Sequence, residues 1–229
     1  MSSETIQLEG KGTSKKGTFF DASYFEGKTS NYLGSYQGFL TRIYLGYRLG
    51  KILKFLSKGK RRGKLLDIGC AYGFLTNSLN RYGYKAIGID ISEFAIEQAR
   101  SRFPYLNFTV DDIEKGINFN SESFDVVLAL DILEHCFKLD EVLREINRIL
   151  KRDGILLASM PDKRRLPEHR DRDRTHIWHL TIEEWVKKLE EAGFCIVYQE
   201  TYPKFLKFIN FTETMIMCKK KSGLKKVFW

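Results

Sequence analysis

Residues Leu65–Leu79 read LLDIGCAYGFLTNSL: an apolar run ending in an acid, then a glycine turn, then an amphipathic stretch. The run has the pattern of a strand buried within a sheet. Beyond the turn, Phe74, Leu75, Ser78, Leu79 and Tyr82 fall on one helix face, and Gly83 supplies a stop. Gly69 and Gly73 let the backbone approach a ligand with no Cβ in the way, and the helix start adds N–H donors and a positive dipole end. Asp67 sets a negative charge at the same mouth. That carboxylate opposes a pyrophosphate. It suits a ligand that carries both a cationic group and a carboxylate.

Working outward, the alternation of strand and helix continues. KAIGID, NFTVDD, FDVVLAL and GILLASMP read as further strands, separated by helices. Ser92 is a cap for the helix of Phe94, Ala95, Gln98 and Ala99, and Leu139, Val142, Leu143, Ile146, Ile149 and Leu150 mark another. Thr181 and Glu184 form a capping box before the helix of Ile182, Trp185, Val186 and Leu189. FCIVYQE and FTETMIMCKK follow with no full helix between them, so they are expected to pair antiparallel. The pattern predicts an α/β fold: a seven-stranded, mostly parallel sheet with helices on both faces and an antiparallel last strand. Ligands of such sheets bind beyond the carboxyl ends of the strands.

Acids stand at those ends. Asp90 lies 23 positions after Asp67, where a carboxylate can accept both hydroxyls of a ribose. Asp111 and Asp112 end the third strand, where one can accept from an adenine amino group. After the fourth strand, Asp131, Glu134 and His135 cluster, with His135 a candidate base. Three of the four histidines, His169, His176 and His179, lie in one polar loop. His176 and His179 are an HxxH pair near Asp171 and Asp173, but no further well-spaced ligand completes a set, so no metal is expected.

Before this domain, Phe39, Leu40, Ile43, Tyr44, Tyr47, Ile52, Leu53 and Leu56 recur at helical spacing, with Gly46 and Gly50 weakening the helix or admitting a close neighbour. Tyr24, Phe25, Tyr32, Tyr36 and Phe39 form an aromatic arm suited to covering a site. The expected organisation is a mobile terminus over 1–18, an aromatic helical arm or lid over 19–60, the main domain over 61–219 and a basic tail over 220–229.

The chain has 229 residues, 43% of them hydrophobic, enough for one sizeable core. Its net charge of +9 favours anionic partners without choosing among them. Cys70, Cys136, Cys195 and Cys218 form no CxxC pair, there is no signal-peptide pattern, and no apolar run is long enough to span a bilayer. A cytoplasmic setting with no stable membrane insertion is expected. The oligomeric state is open.

Taken together, these residues resemble class I S-adenosylmethionine-dependent methyltransferases of the ubiquinone/menaquinone small-molecule branch. LLDIGCAYG is similar to that family's first motif, GIDIS to its second, VDDIE to its third, and FDVVLALDILEHC through ILLASMPD to the rest. The resemblance implies a Rossmann-like fold and S-adenosyl-L-methionine as cofactor, with S-adenosyl-L-homocysteine as product. It implies that Asp67, Gly69 and Gly73, with the backbone of Cys70, Ala71 and Tyr72, frame the methionine part of the cofactor. Asp90 and Ile91 would hold ribose and adenine, Asp112 and Ile113 the adenine edge, and the Leu130 backbone the methionine amine. His135 matches a histidine near the transferred methyl, and His176 one that faces the substrate. Ala71 departs from the pattern, standing where the family has its middle glycine.

The expected reaction moves a methyl group to an oxygen or nitrogen of a small molecule, anionic or hydroxylated. Alternatives are an RNA or protein acceptor, or a non-catalytic cofactor- or nucleic-acid-binding module. A dinucleotide oxidoreductase lacks its G-x-G-x-x-G here, and no aromatic–basic stripe supports nucleic acid.

Overall fold

Alternation at period two places neighbouring side chains of each strand on opposite sheet faces. In a computed structural model that describes residues 20–28, 36, 38–59, 62–171, 173–203 and 212–221, this rule sorts the core. The described residues form a seven-stranded sheet of β1 (Gly63–Ile68), β2 (Tyr84–Asp90), β3 (Asn107–Val110), β4 (Phe124–Leu130), β5 (Leu150–Met160), β6 (Phe194–Pro203) and β7 (Thr212–Lys220). Their order is β3-β2-β1-β4-β5-β7-β6. The pairs from β3 to β5 are parallel, and β7 runs antiparallel to both β5 and β6.

On one face, Leu66, Ile68, Val127, Leu156, Ala158 and Ile216 pack under α5 (Leu139–Ile149) and α6 (Ile182–Glu191). On the other, Leu65, Val126, Leu128, Ile155, Leu157 and Met217 pack under α2 (Phe39–Ser57) and α3 (Phe74–Arg81). α4 (Glu93–Arg102) covers the β2–β3 side through Ile96 and Ala99, against Phe108, and a short α1 (Ala22–Phe25) precedes α2. The caps form as the sequence indicates. Ser92 Oγ accepts from the Ala95 N–H, and Thr181 and Glu184 complete a reciprocal box. β1 has β2 on one side and β4 on the other, so the order reverses there. The carboxyl ends of β1, β2 and β4 therefore border the crevice where open α/β sheets bind ligands.

Some expectations are corrected. Tyr82 is 58% exposed rather than on the buried helix face, because α3 ends at Arg81 and Tyr82 caps it. Phe39 is 76% exposed on the first turn of α2 and takes no part in an aromatic cover. A Cβ at Gly46 or Gly50 would meet nothing within 4 Å, so neither glycine marks a close approach. Leu150 opens β5 rather than closing α5. The expected mobile terminus, Tyr32 and nearly all of the basic tail lie outside the described residues.

Candidate functional site

The turn after β1 is tight because strand pairing runs on past it. The N–H groups of Gly69 and Cys70 both donate to the Ile89 carbonyl of β2, at 2.8 and 3.0 Å. Gly69 and Gly73 take φ of +71° and +74°. A Cβ on Gly69 would stand 2.0 Å from the Ile132 side chain, and one on Gly73 would stand 2.5 Å from Phe108. Ala71 adopts the same left-handed region at φ +47°, which an L-residue occupies at a cost of about 1–2 kcal/mol.

Asp90 holds this turn. Its Oδ2 accepts from the Ala71 N–H and its Oδ1 from the Ser92 N–H, each at 2.9 Å. Burial raises the Asp90 carboxyl above its ordinary range, against the pull of the Ser92, Ala71 and Ile91 N–H groups. Asp67 is 3% exposed and accepts from Thr76 Oγ1 at 2.6 Å. Burial pushes its carboxyl up to about 6, opposed by Thr76 and Arg48 and reinforced by Asp90. Asp112 ends the stretch after β3 and caps a 3-10 turn over Ile113–Lys115, accepting from the Glu114 N–H. Ile91 is half-buried at the β2 end, Ile113 packs on the core, and Leu130 ends β4.

Sequence reasoning missed Arg48, which reaches from α2 into this crevice. It is 7% exposed, pairs with Asp131 Oδ2 at 2.9 Å and donates to Ser159 Oγ at 2.6 Å. Ser159 Oγ in turn donates to Asp131 Oδ1 at 2.9 Å. Asp131 sits just past β4 at φ +56° and donates its own N–H to the Ser159 carbonyl. A signal existed: Arg48 lies on the same helix face as Leu45, Ile52 and Phe55, all buried. Thr76, wholly buried behind Asp67, was also missed.

The arm packs against the turn that follows β1. Tyr24, Phe25 and Tyr36 form one buried cluster with Ala71 and Tyr72. Phe25 and Tyr36 set their rings 5.0 and 5.1 Å from that of Tyr72. Phe20 lies edge-on to His135 at 5.7 Å, and its carbonyl accepts from Ser92 Oγ. Tyr24 Oη donates to Asp173 Oδ2 at 3.1 Å. The methyl of Ala71 is therefore part of the surface on which the arm rests.

His135 and His176 meet beside this cover, with ring centroids 4.7 Å apart. His135 Nδ1 lies 3.2 Å from the Thr175 carbonyl and 2.9 Å from Thr175 Oγ1, whose own proton goes to Asp173 Oδ1. Both neighbours are acceptors, which assigns the proton to Nδ1 and the basic lone pair to Nε2. Burial, then the charge of His176, pushes His135 down to about 4, so it is neutral at pH 7. His176 is the opposite case. Burial lowers it, but the hydrogen bond from Nδ1 to Asp171 Oδ2 and the charges of Glu134, Asp171 and Asp173 leave it raised.

The donor set suits an amino-acid nucleoside better than a dinucleotide. Asp67, Asp90 and Asp112 carry acceptors of the kind that suit an ammonium, ribose hydroxyls and an amine, and Arg48, held by Asp131 and Ser159, adds positive charge beside them. Carboxylates at the mouth would repel a pyrophosphate.

Comparison with known proteins identifies the family. The family defined as a methyltransferase domain matches residues 60–202. A ubiquinone biosynthesis O-methyltransferase of Pelagibacter ubique is 32% identical over 102 residues, 44% of this chain and 42% of that protein. The mitochondrial enzyme of the same name from Rattus norvegicus is 34% identical over 110 residues, 45% of this chain and 32% of its own length. The chain thus matches less than half the length of these relatives. A probable S-adenosylmethionine-dependent methyltransferase of Mycobacterium tuberculosis is 26% identical over 132 residues, 57% of this chain and 48% of its own. Among solved structures, the cyclase SpnF superposes with a TM-score of 0.66 at 20% identity, covering 77% of this chain and 82% of that one. A putative S-adenosylmethionine-dependent methyltransferase from Listeria monocytogenes gives 0.65 at 18%, covering 79% and 100%. These structural likenesses speak for the fold.

Proposed function

Because the chain belongs to the methyltransferase-domain family, we propose that it moves a methyl group to an oxygen or nitrogen nucleophile of a small, hydroxylated molecule. S-adenosylmethionine is the cofactor, and when bound it supplies an electrophilic sulfonium methyl. The observation that supports the reading is the meeting of opposite charges in the crevice, where Arg48 of α2 pairs with Asp131 just past β4. Asp67 and Arg48 sit in one crevice, close enough for the guanidinium to act on the Asp67 carboxyl.

Asp67 takes the ammonium and Arg48 the carboxylate of the amino-acid part. Asp90 keeps one lone pair on each oxygen for ribose hydroxyls after serving the Ala71 and Ser92 N–H groups. Ile91 and Ile113 flank the adenine, Asp112 accepts from its amino group, and Leu130 lines the methionine side. The arm excludes water and fixes the acceptor at near-attack distance. His135, neutral with its lone pair on Nε2, takes the acceptor proton, while His176 walls the same side.

A small acceptor is favoured over nucleic acid by how the basic loop is used. Lys163 pairs with Glu184, and Arg164 with Asp162 and Glu183. The names of the O-methyltransferase relatives favour a hydroxyl acceptor. No helix among the described residues is long and apolar enough to cross a membrane, and all four cysteines are free. Both fit a cytoplasmic setting.

The test pairs calorimetry with turnover. Wild-type protein binds S-adenosylmethionine and releases S-adenosylhomocysteine when offered a panel of hydroxylated aromatics. His135→Gln keeps cofactor affinity and loses about 10²–10⁴ in turnover. Full turnover by that variant removes His135 from the chemistry, and no cofactor binding by the parent sinks the whole reading.

A further inference from the structure

The loop between β5 and α6 gathers ligating side chains, two of which, Asp171 and His179, the proposed methyl transfer does not use. We propose that Asp171, His176 and His179 form a binding site for one divalent cation of the zinc class. One ligating atom from each of Asp171, His176 and His179 lies within 4.8 Å of the other two. The sequence offered the HxxH pair with Asp171 and Asp173 nearby and led to no metal; the fold brings Asp171 together with both histidines.

One spacing already fits the ion, and a second would have to open on binding. Ligands of a tetrahedral zinc with bonds near 2.0–2.1 Å stand roughly 3.3 Å apart. His179 Nε2 lies 3.4 Å from Asp171 Oδ2. His176 Nδ1 lies 2.5 Å from the same oxygen, a hydrogen bond whose proton the cation would replace. His179 Nε2 is shut off from solvent and makes no hydrogen bond among the described residues, with Asp171 Oδ2 3.4 Å away. A polar nitrogen buried in that state is costly, and coordination removes the cost.

The surroundings match what ligated imidazoles need. His176 Nε2, the nitrogen turned away from the site, faces Glu134 Oε1 at 4.0 Å and Asp173 Oδ2 at 3.9 Å. Carboxylates in that position orient a ligating imidazole. The loop is fixed without the ion: the N–H groups of Ile177 and Trp178 donate to the Glu134 carbonyl at 2.8 and 3.1 Å. Trp178 Nε1 donates to the Cys136 carbonyl at 2.6 Å. The side chains of Asp171 and His176 are 3% and 8% exposed. Two imidazoles with one carboxylate select zinc over magnesium or calcium, and three ligands leave one position open. The ion would clamp the loop that carries Thr175 under His135.

The proposal stands apart from methyl transfer, and its test needs no cofactor. Chelator-stripped full-length protein is titrated with ZnCl2 by calorimetry. One zinc per chain is expected, with no comparable binding of magnesium. His179→Ala and Asp171→Asn should weaken binding by more than about 100-fold. His179→Asn serves the same purpose if circular dichroism shows the alanine variant unfolded. His135→Gln should bind as the parent does. Absence of stoichiometric zinc, magnesium binding of equal strength, or undiminished binding by the His179 variants overturns the site. Loss in His135→Gln with retention in the His179 variants also overturns it, by moving the ion to Glu134, His135 and His176.

Discussion

Asp67→Asn should make the protein more stable and a poorer cofactor binder. Asp67 is wholly enclosed, and its carboxyl is raised from 3.8 to about 6, chiefly by burial. At ~1.36 kcal/mol per pH unit, holding it ionised at pH 7 costs the fold about 3 kcal/mol. Asparagine removes the charge and keeps an oxygen to accept from Thr76. Its amide N–H groups near Arg48 take back about 1 kcal/mol. The net gain is roughly 2 kcal/mol, or about 4–8 °C in melting temperature for a chain of this size.

The sign of the pH dependence follows from the direction of the shift. A carboxyl raised on folding is protonated in both states below about 3.8, so its penalty vanishes there. The penalty grows as pH rises from 3.8 to about 6, while the unfolded chain ionises and the folded one does not, and is constant above. Thermal melts of both proteins at pH 7.5 and pH 4 therefore show a stability advantage for the variant that disappears in acid. Calorimetry should show cofactor affinity down by about 10–100-fold, the worth of a hydrogen-bonded charge. A variant that melts lower than wild type at pH 7.5, or a difference independent of pH, would refute the reasoning. Either would mean that Arg48 and Thr76 fully offset the burial of Asp67.

Other expectations concern the crevice and its cover. Arg48→Gln breaks a mostly buried pair with Asp131; stability should fall by about 2–3 kcal/mol in denaturant titration and cofactor affinity by more than about tenfold, and unchanged affinity would take Arg48 out of the cofactor site. Ala71→Gly relieves a left-handed alanine but loses a buried methyl and loosens the unfolded chain, so stability should move by less than about 1 kcal/mol, while calorimetry shows tighter cofactor binding. Tyr24→Phe removes the hydrogen bond from the arm to Asp173; at about 1 kcal/mol, amide exchange across Ala22–Phe25 should quicken roughly fivefold, and unchanged exchange would show that ring packing alone holds the arm.

What the sequence disclosed follows the range of the forces involved. β4 was readable to its end residues, Phe124 and Leu130, because a strand covered on both faces is apolar without interruption. The caps at Ser92 and Thr181 were readable because the hydrogen bonds span three residues. β5 begins at Leu150, earlier than its apolar run suggests. Its polar Lys151–Asp153 segment is carried by an irregular pairing next to Phe124, a tertiary fact. The acids were readable as neighbours of strand ends: Asp90 closes β2, Asp67 stands one residue before the end of β1, and Asp111 and Asp112 follow β3.

The residues that turn this crevice into a specific site were not readable in the same way. Arg48 meets Ser159 across 111 positions of chain, and Tyr24 meets Asp173 across 149. Such partners are chosen by the packing of α2 and the arm on a finished sheet. They leave only an indirect trace, a charge on an apolar helix face or an aromatic residue among small ones. Ala71 shows how that changes an inference. From sequence it is a departure from a glycine motif, and so a doubt about the cofactor. In the fold its methyl belongs to the surface that Phe25 and Tyr36 cover, and its N–H is held by Asp90. A glycine there would serve the cofactor alone. An alanine ties the turn to the arm, so under the proposed function closing the cover and holding the donor would share one residue.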